Sequence, residues 1–162
     1  MTYKRFEDLP VWQEAIELAK QVYSFTKIPV FRGYPSLKDQ IERASLSVSN
    51  NIAEGFERGT TKELLTFLYI ARGSAGEVRS VLCFIEQLPE FKDFNSEISS
   101  LKSISEGISR QLRAWADTLQ NSEIPGQRYL TEKGRELSQK RKEQDEFLKQ
   151  LNEIVEKGRG KL

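Results

Sequence analysis

An all-α fold is predicted from three features of the sequence. Apolar residues recur at alternating steps of three and four through four long segments, the spacing of a helix face. Proline and glycine fall mainly between those segments. No stretch alternates apolar and polar residues for long enough to read as a strand. The expected architecture is an antiparallel, up-and-down four-helix bundle over residues 1–121. A linker and a charged helical C-terminal extension follow over 122–162.

The first segment opens near Asp8, a good N-cap type, with Pro10 in the first turn where a missing N–H costs nothing. Leu9, Trp12, Ile16, Ala19 and Tyr23 form one stripe, expected in the core. Val11, Leu18, Val22 and Phe25 form a second on another side, and the segment stops before Pro29. The second segment runs from about Pro35 to Gly55. Leu37, Ile41, Ala44, Val48 and Ile52 should face the core, and Ser45 and Ser49 are small enough for close helix approach. Gly55 and Gly59 are expected to bracket a turn.

The third segment has the clearest pattern. Thr60-Thr61-Lys62-Glu63 reads as a capping box, worth on the order of 1 kcal/mol. Leu64, Leu68, Ala71, Ala75, Val78, Leu82 and Ile85 repeat as a heptad. Phe67, Ile70, Val81, Phe84 and Leu88 lie beside it, and Pro89 ends the segment. Gly73 and Gly76 sit inside it, each costing up to ~1 kcal/mol. That cost points to tight backbone packing or a bend. The fourth segment starts near Asn95, with Ile98, Leu101, Ser105, Ile108, Leu112, Trp115 and Leu119 in heptad spacing.

Pro125-Gly126 breaks the chain. Residues 128–157 read as helix of another kind, rich in Lys, Glu, Gln and Arg. Their apolar residues thin to Tyr129, Leu130, Leu137, Phe147, Leu148, Leu151, Ile154 and Val155. Such a helix packs on the bundle, packs on a partner, or stays mobile.

Composition narrows the chemistry. The 162 residues include no histidine, which excludes Ser-His-Asp, Cys-His and zinc-hydrolase arrangements. Cys83 is the only cysteine, so no intrachain disulfide or thiolate metal cluster can form. It reads most simply as a small core residue, and a reducing cytosol is the expected compartment. No G-x-G-x-x-G or phosphate-loop pattern occurs, and neither metal nor cofactor is expected. There is no apolar run of about 18 residues for a membrane span and no signal-peptide core at the N-terminus. An enzyme using Glu54 or Glu57 would need a concave pocket around those carboxylates.

Binding is the remaining class. The second stripes, Val11, Leu18, Val22 and Phe25 with Phe67, Ile70, Val81 and Phe84, are candidate oligomer contacts, unless they only widen the core. Gln40, Arg43, Ser47, Asn50, Glu54 and Arg58 share one face of the second segment. They make a solvated network or a polar seam to a partner. Arg72 and Arg79 share a face of the third. Lys140, Arg141 and Lys142, with Lys133, Arg135 and Lys149, could follow a phosphate backbone, or be a solvated helix interleaved with Glu143, Asp145 and Glu146. Because net charge is only +1, nucleic acid must be held by a local patch or by a patch repeated through symmetry.

Three motifs then carry a resemblance. Phe6-Glu7-Asp8-Leu9-Pro10-Val11-Trp12-Gln13-Glu14-Ala15 resembles an F-x-D-L-x-V-W-x-x-A opening. Residues 40–55, ending Asn51-Ile52-Ala53-Glu54-Gly55, resemble a central signature ending N-I-A-E-G, with Arg58 following. Phe67-Leu68-Tyr69-Ile70-Ala71-Arg72-Gly73-Ser74-Ala75-Gly76-Glu77 resembles an F-L-x-I-A-x-G-S-x-x-E pattern. Together these resemble the family of 23S rRNA intervening-sequence proteins, to which the accessory variability determinants of diversity-generating retroelements are similar. The resemblance implies a bacterial four-helix bundle assembled as a homopentameric barrel. In the retroelement branch it implies binding of a reverse transcriptase and of RNA or DNA through basic surface residues, here Arg43, Arg58, Arg72 and Arg79. It also implies structural roles for Asn51, Glu54 and Gly55 at a helix end, capping it or bridging subunits. Lys140 to Lys142 have no counterpart in it. The alternative is a protein-interaction scaffold with no nucleic-acid role.

Overall fold

The computed structural model describes residues 3–122, 126 and 132–159, with side chains of the last helix described at 136, 137 and 139–152. It is all-α, with five α-helices and no β-strand among the described residues. They are α1 (Pro10–Phe25), α2 (Pro35–Glu57), α3 (Thr61–Ile85), α4 (Asn95–Gln120) and α5 (Glu132–Arg159). Short 3-10 segments at Phe6–Asp8, Pro29–Gly33 and Pro89–Phe94 precede α1, α2 and α4. The chain forms two compact units, Met1–Ile124 and Pro125–Leu162.

In the first unit α1 and α3 each pack against both α2 and α4, around one apolar core. Side-chain bonds fix the directions. Gln40 on α2 donates to Glu77 on α3, whereas Gly55 near the other end of α2 abuts Leu64 and Phe67. These two helices therefore run antiparallel. Likewise α3 and α4 are bridged from Tyr69 to Gln120 (2.8 Å) and from Glu86 to Lys102 (2.7 Å). The buried serines Ser45, Ser49 and Ser105 donate to carbonyls of their own helices, at Glu42, Leu46 and Leu101. Among the described residues no buried side-chain polar atom lacks a partner.

Several local expectations hold. Thr60 caps α3 by accepting the Glu63 N–H at 3.2 Å. The α3 heptad is the core face, buried from Leu68 to Ile85 with Leu64 half-buried. Gly59 turns the chain between α2 and α3 at φ 75°, a left-handed conformation that favours glycine.

Others are corrected. Asp8 does not cap α1. It closes a 3-10 turn, and Leu9 takes the cap position without a side-chain bond. Gly55 lies inside α2, not at a turn. A Cβ there would meet the Phe67 Cβ at 2.6 Å, so the glycine permits the α2–α3 approach. Gly73 and Gly76 show the reverse, with nothing among the described residues within 4 Å of a Cβ placed on either, so tight packing against those residues does not explain them.

Of the α1 stripe expected in the core only Leu9 and Ala19 are buried, and the second stripe is buried throughout. Val11, Leu18, Val22 and Phe25 are buried with Ala15 and Ala19, while Trp12 and Ile16 are half-buried and Tyr23 is exposed. Small Ala and Val side chains allow close helix packing, and the Trp and Tyr polar tips need water or a partner. Cys83 is exposed, not in the core.

In the second unit, α5 exposes Leu137, Phe147, Leu148 and Leu151. Tyr129 and Leu130, and the side chains of Lys133, Arg135, Ile154 and Val155, lie outside the described residues. No helix among the described residues is long and apolar enough to cross a membrane.

Candidate functional site

The most exposed large apolar side chains described in the first unit stand on the outer face of α3. Ile70 is 46% exposed and Phe84 53%, fourteen residues apart on one side of the helix, with Tyr69 exposed beside Ile70. Between them lie Gly73, Gly76, Ser80 and Cys83, all exposed. These small residues form a track along α3, and beside it exposed Glu77 stands midway between Ile70 and Phe84. Phe67 and Val81, grouped with Ile70 and Phe84 by sequence, are half-buried at the α3 edge. Val11, Leu18, Val22 and Phe25 take no part in this surface, since they fill the core.

The polar line of α2 resolves into local bonds. Arg43 pairs with Asp39 at 3.1 Å and donates to Gln40. Asn51, half-buried and two turns inside the helix end, donates to the Ser47 carbonyl (2.7 Å) and hydroxyl (2.9 Å). Ser47 in turn shares a hydrogen bond with Ser74 on α3 at 2.9 Å. Asn51 thus braces the α2–α3 seam and caps nothing. Sequence reasoning missed this bridge because it joins residues on helices read separately. Glu54 is exposed and accepts from Arg58 at 2.7 Å. That carboxylate raises the Arg58 guanidinium above its ordinary range. Arg58 also lies 5.2 Å from the Phe67 ring centre and 3.8 Å from Glu63.

The candidate cations are dispersed. Arg43 and Arg58 stand fifteen positions apart on α2, or about 22 Å of helix. Both are neutralised by neighbouring carboxylates. Arg72 and Arg79 are half-buried on α3 and make no ion pair among the described residues. Lys140, Arg141 and Lys142 are exposed on α5, in the other unit. Glu54 and Glu57 are both exposed, on the outside of α2. Among the described residues no three His, Cys, Asp or Glu side chains are grouped to hold a metal.

The family model described as 23S rRNA-intervening sequence protein matches residues 7–114. The chain belongs to that family. The match runs from the 3-10 turn before α1 through most of α4, and so takes in the Asn51 bridge, Gly55 and the whole outer face of α3. Helix α5 lies beyond it. No curated relative matches the sequence.

Proposed function

We propose that this intervening-sequence protein is a non-enzymatic, oligomeric accessory protein that binds nucleic acid. In this reading α1 to α4 form an up-and-down four-helix bundle, and five copies close into a barrel in the bacterial cytoplasm. The observation that carries it is the outer face of α3. Two mid-helix glycines cost up to ~1 kcal/mol each, and no neighbour among the described residues accounts for them. A second copy lying along the track, between Ile70 and Phe84, supplies the missing reason. Five copies also repeat each modest basic patch around a ring, so a subunit of net charge +1 can still hold a polyanion. By the likeness to retroelement accessory proteins, the protein partner is a reverse transcriptase.

Light scattering on the purified chain should give five chain masses. Ile70→Glu with Phe84→Glu should give one, with the helical circular dichroism retained. Labelled RNA and DNA should bind at micromolar level or tighter, with affinity falling steeply as salt rises. Absence of binding at low salt sinks the nucleic-acid reading.

A second reading has its own observation. Phe147, 60% exposed, lies with Leu148 and Leu151 on α5 amid charged residues, which suits a helix that docks on a protein partner. A scaffold of that kind would lose its partner, and no nucleic acid, on Lys140→Gln, Arg141→Gln and Lys142→Gln.

A further inference from the structure

An open cleft of about 550 Å³ lies where α1 gives way to α2. Its charged lining is Lys27, Arg32, Lys38, Asp39 and Glu42, over an apolar floor that includes Phe31. Both carboxylates are already engaged. Glu42 accepts from the hydroxyl of buried Thr26 and lies 3.9 Å from the Lys38 ammonium. Asp39 forms an ion pair with Arg43, which reaches it from the next turn of α2. Lys27 and Arg32 are exposed and make no ion pair among the described residues. The wall therefore holds two uncommitted cations beside two neutralised carboxylates. The first turn of α2 adds no acidic residue.

We propose that this cleft seats a phosphate group, with Lys27 and Arg32 as its cationic ligands. A guanidinium presents two parallel N–H donors that match two phosphate oxygens, and an ammonium adds a compact point charge. The cleft is open at its mouth and larger than one phosphate, as a site on a continuous backbone would be. The source of that phosphate rests on the nucleic-acid reading, but the chemistry of the site does not. The proposal moves the phosphate contact from the basic run of α5 to the α1–α2 connector, inside the family-matched region.

The test uses the full chain, its Lys27→Gln/Arg32→Gln double variant, and Lys20→Gln as an exposed control on α1. Inorganic pyrophosphate is titrated while backbone amide shifts are followed. Labelled single-stranded RNA is titrated in parallel across a salt series. Pyrophosphate is expected to move amides of residues 26–42. The double variant should bind it at least tenfold more weakly and the control unchanged. The slope of log affinity for single-stranded RNA against log salt should fall by about 1.4 in the double variant, about 0.7 for each lost phosphate contact. Shifts confined to other residues, or equal pyrophosphate affinity in the double variant, overturn the site. RNA binding that survives unchanged alongside such a result leaves the nucleic-acid reading standing. Pyrophosphate bound in the cleft without any RNA binding supports the site, removes the nucleic-acid reading, and assigns the phosphate to a small molecule.

Discussion

Three glycines show how one residue type reports opposite constraints. Gly55→Ala places a Cβ 2.6 Å from that of Phe67, on a backbone that cannot give cheaply. It should destabilise the fold by about 1–3 kcal/mol in urea unfolding, as overpacking does. Gly73→Ala and Gly76→Ala meet open space among the described residues. Each should stabilise the isolated chain by about 0.5–1 kcal/mol through helix propensity. If a second copy lies along that track, the same pair must also lower the assembled mass. A gain in stability with assembly intact would remove α3 as the contact face. The sequence announced these glycines without separating their roles, because a glycine's reason lies in its neighbours and not in its spacing. The same limit applied to Asn51. The family resemblance implied a role for it at a helix end, capping it or bridging subunits, but its partners within the chain are Ser47 and, through it, Ser74.

Helix identity and extent were legible because 3.6-residue periodicity, Pro10, Pro35 and Pro89, and the Thr60 cap are local signals. Which apolar stripe faces inward was not always legible. On α3 the strict heptad settled it, since the competing stripe was broken by Glu77 and Ser74. On α1 both stripes were apolar. The inward face runs through Val11, Ala15, Leu18 and Val22 and takes in Leu9 and Ala19 of the other stripe, a choice that only pairing with α2 and α4 decides. Helix α5 differs again, because every side chain described on it is exposed. With no buried stripe its amides should open easily. Hydrogen exchange is expected to show little protection over 136–152, and slow exchange over the core turns of α2 and α3. Strong protection in α5 would mean that its apolar residues are covered by another chain. Thr60→Ala should cost on the order of 1 kcal/mol and leave the rest of α3 intact, read by urea unfolding and amide exchange.

At the scale of the whole molecule, pH should matter little near neutrality. There is no histidine, and the buried polar residues are Thr26 and serines, none ionisable in that range. Arg5 holds the Glu7 carboxyl below its ordinary range, and Lys20 with Gln21 does the same for Glu17. A carboxylate with a lowered folded pKa adds stability above its unfolded pKa and loses it as pH falls through the folded value. The melting temperature should therefore be level from about pH 5.5 to 8 and decline below about 4. A step near pH 6.5 would contradict this. One further feature sets what the fold can become. The connectors α1–α2 and α3–α4 are joined by rings, with Phe31 against Phe91 at 5.1 Å, Phe25 against Phe31 at 5.3 Å and Tyr34 against Phe91 at 5.6 Å. The α2–α3 connection, by contrast, is a three-residue turn around Gly59. Extra residues at that turn would only lengthen a solvent-facing loop, whereas the same insertion in either aromatic connector would pull the rings out of register and let both helical hairpins slide. Loop length is thus negotiable at one end of the molecule and fixed at the other, and new sequence grafted into this scaffold would be tolerated only at the glycine end.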